Sequence, residues 1–236
     1  MSANLLPIGV IGLLLGVRHA FEPDHLAAVS TLASRPGARL WSAARLGVIW
    51  GIGHTITVAS VVGVIVVLGV QLPPRLWPAA ELVVAGLLIV LGLTVIWHYA
   101  RGRWHMHVHT HPASLIPLSH IHLHSHTNDS THSHAHATVD ARRSLGFGIA
   151  HGLAGSGAIA ALLVAAAPDM TSRVVYFAAF GAGTIVGMLS VSLTLSVFVR
   201  MAAERSAKWA TVLHVGAAVG SVAAGIALAW NVFGRI

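Results

Sequence analysis

Five ionisable or metal-binding side chains lie close together near the start of the chain, within an otherwise apolar run: Arg18, His19, Glu22, Asp24 and His25. A charged side chain in a bilayer core costs about 3 kcal/mol or more, so such groups persist mainly where they line a polar cavity or perform a task. Imidazole with carboxylate favours nickel, cobalt, zinc or copper over magnesium or calcium. His19, Asp24 and His25 are therefore predicted to bind a divalent metal, with Glu22 paired to Arg18.

Pro23 interrupts this cluster and explains how its ligands can converge. In a regular helix, at about 100° per residue, Asp24 and His25 would lie roughly 140° and 240° around the axis from His19. Proline cannot donate a hydrogen bond to the carbonyl of His19, and its ring pushes that carbonyl away, so the helix is predicted to kink or unwind here. The alternative interpretation is that His19 and Asp24 form a buried pair that braces the kink.

Two further histidines are candidates for the same site. His54 lies in residues 51–55, which read GIGHT, and the two glycines let another helix approach closely. It is interpreted equally well as a metal ligand or as a hydrogen-bonded core histidine. His151 lies in residues 148–157, which read GIAHGLAGSG, and is predicted to be a transit ligand or gate. Ser156 is interpreted as a helix-packing hydroxyl.

The composition places these groups in a membrane. The 236 residues are 56% hydrophobic and 9% charged, with a mean hydropathy of +0.78, which is outside the range of soluble domains. We expect an all-α polytopic membrane protein with six transmembrane helices, of which the first is kinked. The predicted spans are residues 5–32, 46–70, 79–99, 145–167, 174–199 and 209–233. The first lacks a basic leader and a small-residue cleavage site, so we expect it to be retained.

Basic residues in the breaks between spans predict the orientation in the cell membrane. They concentrate in the first, third and fifth breaks, at Arg35, Arg39, Arg45, Arg101, Arg103, Arg142, Arg143, Arg200, Arg205 and Lys208. The positive-inside rule therefore places both termini outside and these breaks in the cytoplasm. Because the net charge of +7 is accounted for by such topology signals, no nucleic-acid partner is expected.

The two halves of the chain resemble each other. Residues 16–20 align with residues 148–152 at an offset of 132, which pairs His19 with His151, and an offset of 133 pairs residues 85, 92 and 97 with residues 218, 225 and 230. Three spans per half predict a 3+3 inverted repeat, with a site at the repeat interface. The predicted divisions are residues 1–100 and 141–236 for the repeats. Glu81 and His214 are also matched, and are interpreted as solvated interface residues or as ion shuttles.

The segment between the repeats, residues 101–140, is predicted to be a disordered cytoplasmic loop. It carries eleven histidines, mostly in His-x-His spacing: His105, His107, His109, His111, His120, His122, His124, His126, His132, His134 and His136. Such a tract is typical of auxiliary metal binding, against the alternative of a solvated spacer.

The motif of residues 18–26, RHAFEPDHL, resembles the His-x4-Asp-His helix motif of the nickel/cobalt transporter (NiCoT, NicO) family. Residues 53–55 resemble its second histidine motif, and the run from His151 resembles a segment of its shorter, urease-associated members. The resemblance covers most of the chain outside the histidine-rich segment. It implies transported nickel or cobalt, contacted by His19, Asp24 and His25 with support from His54.

Two departures from the family pattern bear on span number and direction. Importers of this family have eight spans against the six counted here. Efflux members also carry a histidine-rich loop, but they tend to have glycine before the second motif histidine, where this chain has Asp24. We therefore expect uptake, with efflux as the alternative.

Other functional classes rank lower. The chain has no cysteine, which excludes thiolate ligands, and no phosphate-binding loop, so no ATPase domain and no prosthetic group are expected. An intramembrane hydrolase would use zinc on His19, Asp24 and His25, or Ser156 as nucleophile, but residues 154–157 lack a nucleophile-elbow pattern. A metal-sensing module would depend on the histidine-rich segment. We expect a permease rather than an enzyme.

Overall fold

The computed structural model describes residues 5–33, 40–68, 75–101, 104–110, 119–125, 136–153 and 169–235. These residues form seven helices and two short strands. The helices are α1 (Leu5–His19), α2 (Pro23–Ala33), α3 (Leu40–Leu68), α4 (Leu76–Ala100), α5 (His136–Gly152), α6 (Met170–Arg205) and α7 (Ala207–Phe233). The strands are β1 (Trp104–Thr110) and β2 (Ser119–Ser125).

The predicted break in the first span is present between α1 and α2, whose axes are bent by 58°. The helix ends in tight turns, because the N–H groups of Phe21 and Glu22 donate to the carbonyls of Arg18 and His19, three residues back. Pro23 then begins α2, at the helical position where a missing N–H costs nothing. The prediction of a kink at this proline is confirmed.

Among the described residues, four helices are long and apolar enough to cross a membrane: Leu40–Val64, Pro78–Ala100, Met170–Arg205 and Lys208–Phe233. The broken pair Leu5–His19 and Pro23–Leu32 adds a fifth span if it crosses as one unit. The chain is therefore a multi-pass membrane protein. Helix α5 covers the predicted span 145–167 up to Gly152, and residues 154–168 lie outside the described part. The number of six transmembrane helices therefore stays a prediction.

Helices α3 and α6 extend beyond the predicted spans 46–70 and 174–199. Helix α3 begins at Leu40, and α6 runs from Met170 to Arg205. The carboxylate of Asp169 caps α6 by accepting from the backbone N–H and the hydroxyl of Ser172, and these bonds lower the pKa of Asp169. Apolar periodicity marks the membrane-embedded length, whereas caps and turns decide where a helix ends.

Close helix contacts are made at glycine residues, which carry no side chain. Helix α1 packs on α6, and a Cβ added at Gly16 would meet the carbonyl of Phe180. Helix α5 packs on α3, and a Cβ at Gly148 would meet the carbonyl of Trp50. Backbones approach this closely only at small residues, which is a common device of membrane helices. These two contacts bring the ends of α1 and α5 against the middle of the bundle.

Helices α4 and α7 pack together through a reciprocal pair of contacts. A Cβ on Gly92 would meet the carbonyl of Ala218, and a Cβ on Gly225 would meet the carbonyl of Ala85. The hydroxyl of Ser221 adds an interhelical hydrogen bond to the carbonyl of Leu88, 2.9 Å long. Helix α2 packs on α7 as well, whereas α1, its partner in the bent pair, packs on α6.

The histidine-rich segment contains regular structure, because β1 and β2 pair antiparallel. This differs from the expectation of disorder for residues 101–140, and the reason is that His-x-His spacing also has the two-residue period of a strand. The register sets histidine opposite histidine three times: His105 with His124, His107 with His122 and His109 with His120. His136 begins α5. His111, His126, His132 and His134 lie outside the described residues.

Candidate metal site

Four histidines from four different helices meet inside the bundle. His19 ends α1, His25 lies in the first turn of α2, His54 is in the middle of α3 and His151 is near the end of α5. All four side chains are buried, with 5% exposure or less. Burial of four imidazoles in a membrane protein is costly unless they have partners or a ligand.

His19 is held between a carboxylate and another histidine. Its Nδ1 lies 3.0 Å from Oε2 of Glu22, and its Nε2 lies 3.1 Å from Nε2 of His54. When Nδ1–H donates to Glu22, the lone pair of His19 Nε2 faces the cluster, which is the usual arrangement behind a metal-binding imidazole. Glu22 was expected to pair with Arg18, and the structure places it on His19 instead.

Asp24 joins two of the histidines. Its Oδ1 lies 3.3 Å from Nδ1 of His25 and its Oδ2 lies 2.9 Å from Nε2 of His151. A regular helix would carry Asp24 away from His19, so the break at Pro23 is what turns this carboxylate into the cluster. The contact with His151 links the first span to α5, 127 residues later in the sequence.

The donor atoms form two overlapping triads. The first comprises His19, His25 and His54, the second comprises Asp24, His25 and His151, and in each the ligand atoms lie within 4.8 Å of one another. Each triad can supply three ligands to one divalent metal ion. His25 belongs to both.

Two buried nitrogens of the cluster have no hydrogen-bond partner within the described residues. They are Nε2 of His25 and Nδ1 of His54. An unsatisfied buried polar atom costs about 1–3 kcal/mol, and such groups are usually explained by water, an ion or a function. Because Nδ1 of His25 faces Asp24, its Nε2 offers a lone pair directed elsewhere. This nitrogen is available to a metal ion.

Aromatic rings flank the cluster on two sides. The ring of Phe180 lies 5.6 Å from that of His19, and the ring of Trp50 lies 5.8 Å from that of His151. Between them the His19, His25 and His151 rings follow one another at 4.5 and 4.2 Å. His25 thus contacts both His19 and His151, and each of these two rings has an aromatic ring beside it.

Sequence reasoning assembled the residues of this cluster but not their contacts. His19, Asp24, His25, His54 and His151 are brought together as expected, and their role as metal ligands stays a prediction. Ser156 lies outside the described residues. The flanking rings were missed, although Trp50 precedes His54 by one helical turn and could have been recognised from that spacing.

Comparison with known proteins gives one informative relative. The chain is 32% identical over 205 residues to the urease accessory protein UreH of Bacillus sp. (strain TB-90), a match that covers 86% of this chain and 82% of the relative. No protein-family model matches the chain. No solved structure matches it. Identity at this level over most of both chains establishes kinship, and the chain belongs to the family of the urease accessory protein UreH.

Proposed function

We propose that the protein is a secondary permease that carries nickel, or cobalt, across the membrane into the cell. The observation that carries this proposal is the cluster of four buried imidazoles and one partly buried carboxylate at the break between two bent apolar helices. Discontinuous helices near the midplane are a recurrent way to build ion sites in transporters. Transported metal is the cargo of this site, not a resident cofactor.

The choice of metal rests on donor chemistry and on kinship. Imidazole and carboxylate donors suit nickel and cobalt and disfavour magnesium and calcium. The resemblance to nickel/cobalt transporters implies the same two ions. A relative named as a urease accessory protein supports the shorter, urease-associated branch of that resemblance and a role in metal supply to urease.

Alternating access between two inverted repeats is the proposed mechanism. The close contacts support it in pairs: Gly16 and Gly148, which are matched at the offset of 132, meet the carbonyls of Phe180 and Trp50, which are 130 positions apart. The reciprocal contacts of Gly92 and Gly225 follow the offset of 133 in the same way. Under this symmetry His151 is the counterpart of His19, so each repeat contributes one histidine to the centre.

The β1–β2 hairpin is proposed as an auxiliary metal-binding element on the cytoplasmic side. Its register sets histidine opposite histidine at three alternate positions. Deletion of residues 104–125 should lower nickel accumulation at low external nickel and leave a measurable flux at saturating nickel. Complete loss of flux at every concentration would instead favour a metal-sensing module.

Nickel accumulation in intact cells tests the transport proposal. Cells that express the wild type should accumulate radiolabelled nickel, and His19→Ala and Asp24→Ala should fall to the level of empty vector. His98→Ala is the matched control, because His98 lies outside the cluster and contacts the carbonyl of Thr94 at 2.6 Å. Equal accumulation by all variants would overturn the proposal, and lower nickel than in empty-vector cells would assign efflux.

A further inference from the structure

We infer that the two triads are successive positions of a single transported ion, and that His25 serves both positions, through a different ring nitrogen in each. This inference rests on the proposed transport function and adds the path inside the site. The first position is formed by His19, His25 and His54, and the second by Asp24, His25 and His151.

The two nitrogens of His25 point to different triads. Nδ1 lies against Asp24 in the second triad, whereas Nε2 is buried and has no hydrogen-bond partner among the described residues. The rings of His19 and His54 lie 4.5 and 5.3 Å from that of His25. An ion at the first position would use the free Nε2, and an ion at the second would replace the contact between Nδ1 and Asp24.

Charge and spacing make the two positions alternatives rather than two simultaneous sites. Because the triads share His25 and each is only 4.8 Å across, two divalent ions would lie within a few ångströms of each other and repel strongly. Each position has one carboxylate for one ion: Glu22 stands behind His19 at the first, and Asp24 is a direct ligand at the second.

One of the flanking aromatic rings lies at each end of this path. Phe180 lies beside His19 of the first position, and Trp50 lies beside His151 of the second. Each pair joins the two halves of the protein, because Phe180 of the second half lies beside His19 of the first, and Trp50 of the first half lies beside His151 of the second. Rocking of the repeats would expose one position at a time.

Nickel binding and nickel flux together test the relay. Purified His54→Gln should lose only the first position and His151→Gln only the second, and glutamine keeps much of the volume of each ring. Calorimetry should show that each variant still binds one nickel ion per chain. X-ray absorption should show imidazole and carboxylate ligands on nickel in His54→Gln, and only imidazole ligands from the protein in His151→Gln. Flux should fall at least tenfold in both variants, and His25→Gln should lose binding. His98→Gln is the control and should match the wild type.

Three results would overturn the relay. If either His54→Gln or His151→Gln transports nickel at the wild-type rate, one triad suffices for transport and the relay fails while the transport function stands. Identical X-ray absorption spectra of the nickel bound to these two variants would show a single site that uses all the ligands at once. If His25→Gln and both other variants transport normally, the relay and the proposed function fail together.

Discussion

At the scale of single residues, the chemistry of the cluster depends on how each imidazole is oriented. Glu22 on Nδ1 of His19 leaves Nε2 directed at His54, and Asp24 on Nδ1 of His25 leaves Nε2 without a hydrogen-bond partner among the described residues. Carboxylates behind imidazoles fix the tautomer and increase ligand basicity. Both carboxylates lie within the same helix break as the histidines that they orient.

Glu22→Gln tests the role of this second carboxylate. Loss of the negative charge behind His19 should weaken apparent nickel affinity about 10- to 100-fold, while the maximal flux changes much less. The dependence of nickel uptake on external nickel concentration measures both quantities. Glu204→Gln is the control, since Glu204 pairs with Arg200 on the exposed surface, where ion pairs contribute little. An unchanged affinity for Glu22→Gln would mean that His19 needs no carboxylate to bind metal.

At the scale of helices, the break at Pro23 and the glycine contacts of α1 and α5 position the cluster. The break turns Asp24 and His25 toward His19, and the packing of α5 on α3 places His151 beside Asp24. The helix break and the glycine contacts both act through the backbone. Each can therefore be tested by a substitution that leaves the metal-binding side chains unchanged.

Pro23→Ala restores the N–H that can donate to the carbonyl of His19. The helix should become more continuous, and the ligands should diverge, so nickel flux should fall at least tenfold although every ligand remains. The same uptake assay measures the effect. Pro78→Ala is the control, because Pro78 lies in the first turn of α4, where proline replaces no helical donor. Wild-type flux for Pro23→Ala would show that the ligands converge without the proline.

Gly148→Ala tests the close approach of α5 to α3. The added methyl group would meet the carbonyl of Trp50, so the helices must separate, and we expect a loss of about 1–3 kcal/mol in stability. Gly146→Ala is a matched control in the same helix, because a Cβ there would meet nothing within 4 Å. Thermal unfolding of the purified protein in detergent should show a lower midpoint for Gly148→Ala only. Equal midpoints would contradict the packing role of Gly148.

At the scale of the whole molecule, the proposed transport depends on how the chain is oriented in the membrane. Glu204 precedes α7 in the sequence and Arg235 follows it. The distribution of basic residues predicts that the start of α7 faces the cytoplasm and that its end faces the outside. Arg235 also forms an ion pair with Glu81 near the start of α4.

Single cysteines can report the orientation, because the native chain has none. Arg235→Cys should react with a membrane-impermeant maleimide in intact cells, and Glu204→Cys should react only after the cells are permeabilised. Both native side chains are more than 60% exposed, so poor access would not explain a difference. The cysteine-free parent is the background control. The opposite labelling pattern would place the termini in the cytoplasm and the hairpin outside.

Much of this site could be predicted from local sequence because its determinants are local. Composition and apolar runs indicate a membrane protein, and Pro23 predicts the break through its missing N–H and its ring. Buried ionisable residues in apolar runs are rare enough to mark His19, Asp24 and His25 as a site without any structure. The regular alternation of histidines was the weaker signal, since it suits a strand as well as a disordered tract.

Tertiary structure alone decided how the cluster is connected. The bonds of Asp24 to His151 and of His19 to His54 join residues 127 and 35 positions apart, and no local periodicity encodes such distances. Only helix packing shows that His25 is shared by two triads. The sequence by itself determined which residues are candidates to bind metal, because side-chain chemistry and burial cost are local properties. How these residues are grouped depends on which helices touch.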